Sequence, residues 1–565
     1  MVNNKSQFII FYKSEKHIFL LFTVFFSVLV LISCKDHFHT DKKIFRYNET
    51  SGIASLDPAF AKNQSIMWAI HQLYNTLIEV DSNMQLKPSL AKSWRFSADN
   101  KTIIFNLRND VYFHDDDCFQ AISFPKVRKR RRFIAGDVLF SFNRIINKNT
   151  ASPGAWIFNN RVDSIEPFKI LDDTTFQLKL QKPFQPILGI LSMQYCSIVA
   201  PEAVAKYSND FRQHPVGTGP FAFVAWEEGQ ALILKRNNHY FEKDSNGKLL
   251  PYLDGIKVNF YDSKATEFLA FQQGRLDFIN DIDPSFKDEI LSKTGNLKKE
   301  WNDKIDLQKH PYLNIEFFGI LSDTDNAILK NSPLKLLKIR QAINYGVDRR
   351  KMMLYIRNSI GTAAESGFVP QGLPSFSNEK VKGYLYNPAK AKQLLAEAGF
   401  ANGKNLPDIK LLTIPIYANL ASYVANELKQ IGITVKVEAM QKSLLLEQTS
   451  KSQALFFRGS WIADYPDAEN YLSVFYSKNP APPNYTRFKN AEFDALYERA
   501  LSQADDSSRY ETYRQMDNII IANAPIVPLW YDEAIHLVQK NMKNFVPNSL
   551  NMLELRRVDK GMNRP

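Results

Sequence analysis

Alternating apolar and polar positions run through most of this chain and predict many short elements. The alternation predicts strands over 44–47, 93–96, 102–107, 111–114, 165–170, 175–180, 251–260, 409–414 and 434–439, with a strand–turn–strand unit over 220–235. Apolar residues three to four apart predict helices over 66–77, 135–147, 265–273, 334–345, 388–398 and 420–430. These elements together predict an α/β fold.

The predicted elements are not evenly mixed along the chain. Strands dominate between 85 and 211, which indicates a β-rich unit. Between 312 and 524 helices alternate with strands, a pattern typical of a layered sheet domain. Residues 117–133 interrupt the link between the strand ending at His114 and the helix beginning at Ala135, so we interpret them as an insertion.

One apolar run, over 18–32, stands apart near the N-terminus. Lys13 and Lys16 precede it, and its length is short for a bilayer span, as in a secretory signal. The run closes with Leu-Ile-Ser-Cys, which resembles the processing site of bacterial lipoproteins. We expect a signal peptide over 1–33, lipid attachment at Cys34 and a tether over 34–43. The alternative is an uncleaved anchor helix, and both readings place the rest of the chain outside the cytoplasm.

Composition and charge narrow the class of partner. The chain is 45% hydrophobic and 13% aromatic, so the roughly 530 residues after processing suffice for two or three globular domains. The net charge is +12, but six positive charges lie in the run 126–132. This local surplus argues against a nucleic-acid partner. The run is either a solvated loop or a contact for anionic lipid or cell-wall polymer.

The sequence offers no catalytic or metal-binding signature. It contains no HExxH, GxSxG or GxxxxGK[ST] motif, so we expect neither an enzyme nor a cofactor or metal site. The cluster of His114 with three aspartates is interpreted as a solvated turn, and the glycine-containing segment 216–221 as a tight turn between domains. Cys118 and Cys196 form one disulfide or remain two free thiols.

The segment 456–467 is the most informative candidate for binding chemistry. An apolar strand runs directly into arginine, tryptophan, aspartate and tyrosine, which are costly to bury without partners. Asp464 suits an ammonium group, Arg458 suits a carboxylate, and the backbone between them suits a peptide strand. The alternative is a structural Arg458–Asp464 pair with Trp461 in the core.

Ordered segments resemble one known family, the extracytoplasmic oligopeptide- and dipeptide-binding proteins that feed ABC importers. The resemblance covers nearly the whole mature chain. The matching segments are LDPAF at 56–60, LYNTLIEVD at 73–81, SLAKSWRFSADNKTIIFNLRNDVYFHD at 89–115, AGDVLFSFNRI at 135–145, PVGTGPFAFVAW at 215–226, IRQAINYGVDRR at 339–350, NPAKAKQLLAEAGF at 387–400 and APIVPLWY at 524–531.

The resemblance implies a two-lobed periplasmic-binding-protein type II fold with an additional β-rich domain. Lobe I would combine residues 44–84, 212–310 and 525–565, the extra domain 85–211, and lobe II 311–524. The family's acidic residue for the ligand's α-amino group falls on Asp464, and its basic residue for a carboxylate on Arg458. The remaining implied ligand contacts are Ser460, Trp461 and Tyr465, with Asn63 and Gln64 at the rim of the first domain.

The implied function is capture of oligopeptides or dipeptides between the lobes and their delivery to an ABC permease. The protein would act as a monomer held to a membrane through its N-terminal lipid, in the periplasm or at the cell surface. One alternative keeps the fold and changes the ligand to a metal chelate, haem or sugar. A second alternative is a surface adhesion or sensing lipoprotein.

Overall fold

The structure is a computed structural model that describes residues 42–119 and 130–561. The predicted signal peptide, Cys34, nearly all of the tether and the centre of the basic insertion lie outside the described residues. Across the described ranges, no helix has the length and apolar character needed to cross a membrane.

The strands are numbered in chain order. They are β1 Ile44–Asn48, β2 Ile78–Val80, β3 Leu86–Pro88, β4 Ala91–Phe96, β5 Thr102–Leu107, β6 Phe168–Asp172, β7 Thr175–Lys179, β8 Phe221–Glu227, β9 Ala231–Arg236, β10 Gly255–Asn259, β11 Phe278–Asn280, β12 Ile305–Ile320, β13 Thr362–Ala363, β14 Ile409–Thr413, β15 Val435–Ala439, β16 Phe456–Ile462, β17 Ile526–Gln539, β18 Met542–Lys543 and β19 Asp559–Lys560.

The helices are numbered in the same way. They are α1 Gln64–Leu73, α2 Ala135–Ile146, α3 Ile187–Ile190, α4 Pro201–Tyr207, α5 Lys264–Gln272, α6 Pro284–Ile290, α7 Ala327–Lys330, α8 Leu337–Tyr345, α9 Arg349–Ile356, α10 Pro388–Glu397, α11 Ala418–Lys429, α12 Lys442–Ser450, α13 Glu469–Leu472, α14 Ala491–Ser502 and α15 Asp506–Asn523. Short 3₁₀ segments include Pro58–Phe60, Gln194–Cys196 and Pro415–Tyr417.

Three larger sheets organise the described residues. One has the order β1-β10-β9-β8, with β1 parallel to β10, and a second, antiparallel sheet has the order β4-β5-β7-β6. The third has the order β11-β17-β12-β16-β14-β15, with β13 paired to β17. The predicted α/β class is confirmed, and the four strands of the second sheet all fall within 85–211. The domain boundaries themselves stay a prediction.

Two long strands, β12 and β17, run side by side through the third sheet. At one end β17 pairs with β11, and at the other end β12 pairs with β16. Neighbouring residues of β12 point to opposite faces, so Phe317 and Phe318 pack into two different cores. Between Pro311 and Ile315 the register of β12 against β17 shifts, which interrupts the ladder in mid-strand.

The turn predicted at 216–221 packs against the end of α1. A Cβ at Gly217 would lie 2.1 Å from the Leu73 carbonyl oxygen, and a Cβ at Gly219 would lie 2.5 Å from that of Gln72. Only glycine permits this approach, because any side chain would displace the helix end. This contact holds the first helix against the sheet β1-β10-β9-β8 next to the cavity described below.

Several local expectations are wrong. His114 is not in a solvated turn: it is buried, and its Nε2 lies 3.0 Å from the Gly219 carbonyl oxygen. The strand predicted over 111–114 is reduced to a bridge between Tyr112 and Arg132. Arg131, at the end of the basic run, pairs with Asp137 at 2.7 Å, so this part of the run is not solvated.

The two cysteines of the folded chain are free thiols. Cys196 is buried and Cys118 is half-buried, and no disulfide joins them. Burial raises the pKa of both thiols, so neither is disposed to react as a thiolate at neutral pH. Of the two alternatives left open by the sequence, the structure therefore gives the free thiols.

Candidate ligand-binding site

A cavity of about 510 Å³ lies where segments distant in the chain meet. This volume is in the range of sites that enclose small molecules. Its wall is formed by α1 and the residues that follow it, the 3₁₀ segment at 194–196, the β12 bulge, the end of β16 and the C-terminal region. Lining residues that carry the argument include Gln64, His71, Glu79, Lys87, Tyr312, Leu313, Asp464, Glu554, Arg556 and Arg557.

Asp464 follows β16 directly and presents its carboxylate to the cavity. None of the ion pairs among the described residues includes it, and Asn470 donates to its Oδ2 over 3.4 Å. Asp464 is exposed at the cavity surface, but the protein around it partly desolvates the carboxyl group and so raises its pKa, whereas the Asn470 amide lowers it. A carboxylate in this setting is stabilised by a cation brought by a ligand.

Asn470 fixes the end of the strand that carries Asp464. Its Oδ1 accepts hydrogen bonds from the Trp461 indole at 3.0 Å and from the Asp464 backbone N–H at 3.3 Å. Trp461 is partly buried against the core that contains Tyr471 and does not line the cavity. The indole therefore supports the wall and is not part of its surface.

Arg458 is engaged elsewhere. It lies on β16 opposite Phe318 of β12, and its Nη2 reaches Glu316, at 2.5 Å from both carboxylate oxygens. Its guanidinium also lies over the Tyr417 ring at 4.1 Å. Arg458 does not line the cavity, and its partner is not Asp464, so the alternative of a structural Arg458–Asp464 pair is wrong.

The other predicted contacts divide between the cavity and the scaffold. Gln64 lines the cavity and donates from Nε2 to the Asn551 carbonyl oxygen over 3.4 Å. Asn63 caps α1, with its Oδ1 accepting from the Ile66 N–H at 3.1 Å. Ser460 faces Glu316 in the sheet, and the buried Tyr465 donates its hydroxyl to Glu469. Of the seven predicted residues, Asp464 and Gln64 thus line the cavity.

A cluster of charges that the sequence analysis missed also lines the cavity. Arg556 is 9% exposed and pairs with Glu79 at 2.9 Å, Glu242 at 2.5 Å and Glu554 at 3.0 Å. Glu554 also accepts from His71 Nε2 at 3.1 Å. The members come from positions 71, 79, 242 and 554–556, so no local motif could reveal them.

The site combines apolar walls with a few fixed polar groups. It offers the Asp464 carboxylate, a cluster of paired arginines and glutamates, and thioether, aliphatic and aromatic surface. Such a site can orient a polar ligand by its charged ends and shield the rest from water. Across the described residues, no group of three or more His, Cys, Asp or Glu side chains is arranged to hold a metal ion.

Curated relatives of this chain bind different solutes. Heme-binding protein A of Haemophilus influenzae is 28% identical over 493 residues, covering 84% of each chain. Glutathione-binding protein GsiB of Salmonella paratyphi A is 25% identical over 505 residues, covering 88% of this chain and 90% of the relative. Dipeptide-binding protein DppE of Bacillus subtilis is 23% identical over 542 residues, covering 92% of each.

Solved structures share the fold. The structure of HbpA2 from Haemophilus parasuis has a TM-score of 0.79 at 23% identity and covers 92% of this chain and 100% of that one. The periplasmic binding protein DppA from Helicobacter pylori, in complex with the peptide STSA, has a TM-score of 0.67 at 25% identity and covers 92% and 98%. The expected periplasmic-binding-protein fold is therefore confirmed.

A protein-family model matches most of this chain. The model described as bacterial extracellular solute-binding proteins, family 5 middle, matches residues 85–483, well over half of the chain. Members of this family are extracytoplasmic proteins that bind solutes and deliver them to ABC permeases, and they are not enzymes. With the fold, the cavity and the family match in agreement, the chain belongs to the bacterial extracellular solute-binding proteins of family 5.

Proposed function

We propose that this protein captures short peptides with a free amino terminus in the cavity and that Asp464 receives the ammonium group. The observation that carries the proposal is the Asp464 carboxylate, which lines the cavity without a cationic partner among the described residues. Asp464 is exposed at the cavity surface, where a carboxylate without a cationic partner is stabilised when an opposite charge reaches it. A peptide ammonium meets that requirement and can also donate hydrogen bonds to the carboxylate.

The cavity also suits the rest of a short peptide. Its volume of about 510 Å³ and its mixed apolar and polar wall are compatible with side chains of varied character. Two of the relatives are named as binding a dipeptide and glutathione, and DppA of Helicobacter pylori was solved with a peptide. These relatives support a peptide ligand.

The cellular setting follows from the N-terminal sequence and the family. We propose that Cys34 carries a lipid that holds the folded chain outside the cytoplasm and that the ligand-bound form docks on an ABC permease. The support is the Leu-Ile-Ser-Cys sequence after an apolar run, together with the extracytoplasmic location of the family. Metabolic labelling with a palmitate analogue, which Cys34→Ser abolishes, tests the lipid.

The peptide function is tested by calorimetry with trialanine and N-acetyl-trialanine. We expect Asp464→Asn to weaken trialanine binding by about tenfold to a hundredfold, the range for losing a hydrogen-bonded charge pair, and to change N-acetyl-trialanine binding less than twofold. Asp81→Asn is the matched control, because Asp81 lines the same cavity but already pairs with Lys87 at 3.4 Å. Equal losses for both ligands in Asp464→Asn would remove Asp464 from the proposed role.

Haem is the second candidate ligand. The cavity wall includes Met67, Met193, Met552 and His71, and thioether and imidazole groups are the side chains that ligate haem iron. The Haemophilus influenzae relative is named as a heme-binding protein. A haem titration followed in the Soret band separates the candidates: a one-to-one spectral change in a protein that gives no heat with trialanine would assign the cavity to haem.

A further inference from the structure

We propose that Arg557 receives the carboxylate end of the ligand, so that the preferred ligand is a short peptide with both termini free. This inference rests on the proposed peptide function and adds a second anchoring group to the cavity that Asp464 lines. Among the described residues, three basic side chains of Lys and Arg line the cavity, Lys87, Arg556 and Arg557, and their partners distinguish them.

Arg556 is already saturated with carboxylates. Its two terminal nitrogens contact Glu79, Glu242 and Glu554 within 3.0 Å, and the Tyr240 hydroxyl lies 3.2 Å from Nη1. A ligand carboxylate would be repelled by three neighbouring negative charges and would have to displace one of them. Arg556 therefore organises the wall and is unsuited to bind an anion from a ligand.

Arg557 is the least engaged of the three. Its side chain is 50% exposed, and its one ion pair within the described part of the chain joins Nη2 to Glu242 Oε2 over 3.5 Å. The other oxygen of Glu242 is held more tightly by Arg556, at 2.5 Å. Arg557 thus lines the cavity with a weakly held guanidinium, and a guanidinium fork matches a carboxylate with two parallel hydrogen bonds.

Lys87 is a weaker candidate for the same role. Its side chain is 51% exposed and pairs with Asp81 at 3.4 Å. The other oxygen of Asp81 accepts the backbone N–H groups of Asn83 and Gln85, both at 2.9 Å, so the aspartate is fixed beside the lysine. An ammonium is also a point charge without the bidentate geometry of arginine. Lys87 therefore provides a matched control.

The placement of the two charges defines the ligand. Asp464 belongs to the segment that ends β16, and Arg557 to the C-terminal segment, and both line one cavity. A molecule that pairs with both must carry a cationic group and an anionic group, such as an ammonium and a carboxylate. This is the charge pattern of an unblocked peptide. Arg557 takes the place of Arg458 as the proposed carboxylate partner, because Glu316 already neutralises the charge of Arg458.

The test uses the purified protein and three ligands, trialanine, trialanine amide and N-acetyl-trialanine, with affinities from calorimetry. We expect the wild-type protein to bind trialanine about tenfold or more tightly than its amide. Arg557→Gln should bring the ratio of acid to amide affinity close to one while preserving the discrimination against N-acetyl-trialanine. Arg557→Lys should restore part of the ratio, and Lys87→Gln should leave it unchanged.

The possible results distinguish a failure of the Arg557 assignment from a failure of the proposed peptide function. An acid-to-amide ratio that survives in Arg557→Gln, or one that collapses in Lys87→Gln instead, would overturn the assignment of Arg557 and leave peptide binding intact. A wild-type protein that binds none of the three peptides would overturn the peptide function and this assignment together. Unchanged thermal unfolding of Arg557→Gln is expected, because the side chain is half exposed.

Discussion

Asn470 shows how one buried amide can prepare a binding carboxylate. It is 4% exposed, and it accepts from the Trp461 indole and the Asp464 backbone while donating to the Asp464 side chain. Partial desolvation favours the neutral form of Asp464, and the amide donor favours the charged form. Asn470 therefore orients the carboxylate and favours the ionised form that the proposed ammonium contact needs.

Removing this amide should change the pH dependence of peptide binding. Asn470→Leu keeps similar volume but loses the donor, so we expect the pKa of Asp464 to rise further. Binding of trialanine weakens as Asp464 becomes protonated on acidification, and in the variant this weakening should begin at a higher pH. Affinities measured between pH 4 and 8 check the shift.

Trp461→Phe is the control for the Asn470 variant. It removes the indole donor to Asn470 but leaves the contact between Asn470 and Asp464 in place. Its binding profile should keep the wild-type midpoint. Identical midpoints in Asn470→Leu and the wild-type protein would contradict the role of Asn470.

At the scale of elements, β12 and β17 hold a pair of buried histidines. His310 of β12 and His536 of β17 lie with ring centroids 4.9 Å apart. Burial lowers the pKa of His310 to about 4 and that of His536 to about 3, well below the ordinary histidine value. Both rings are therefore neutral in the folded protein at neutral pH, whereas in the unfolded chain they take up protons near pH 6.5.

This difference makes the stability sensitive to acid. The unfolded chain binds more protons below pH 6.5, so the free energy of unfolding should fall as the pH drops from 6.5 towards 4. His310→Phe should reduce the slope by up to about 1.4 kcal/mol per pH unit, the value for one proton. Urea denaturation at several pH values measures this slope of the free energy of unfolding against pH. The exposed His239, changed to Phe, serves as control, and an unaltered slope in His310→Phe would refute the argument.

The same two strands mark the limit of prediction from sequence. Short strands such as β1, β5 and β14 bury one face or lie between clear turns, and their patterns predict them within two residues. β12 and β17 each contain a proline, which argues against a strand. The structure places Pro311 and Pro528 at register shifts of the ladder, where the missing N–H is tolerated. Sequence reading could not foresee this pairing of distant segments.

In the candidate site, too, some residues could be identified from the sequence and others only from the fold. Asp464 was identifiable because an apolar strand leads directly into it and the family motif marks it. Arg458 fits the same motif, but its partner Glu316 lies on another strand and redirects it away from the cavity. Arg557 and its neighbours are brought to the cavity by tertiary packing alone. Local sequence therefore indicates which side chains are chemically suitable, and the fold decides which of them are available.

For the whole molecule, the β12 bulge provides a place to bend. Tyr312 and Leu313 of the bulge line the cavity, and the ladder to β17 is interrupted between Pro311 and Ile315. We infer that a ligand pairing with both Asp464 and Arg557 draws together the segments that carry these two residues. Ligand binding should therefore favour a closed arrangement by bending at this bulge.

Closure can be measured by small-angle X-ray scattering. Saturating trialanine should lower the radius of gyration towards about 24 Å, the value for a compact chain of roughly 530 residues. N-acetyl-trialanine amide, which lacks both charged ends, should leave the radius unchanged at the same concentration. Asp464→Asn and Arg557→Gln should each require more trialanine for the same decrease, because each removes one of the two anchors. If trialanine binds by calorimetry without any decrease in the radius, the two charges do not draw the walls together, and bending at the β12 bulge is not coupled to binding.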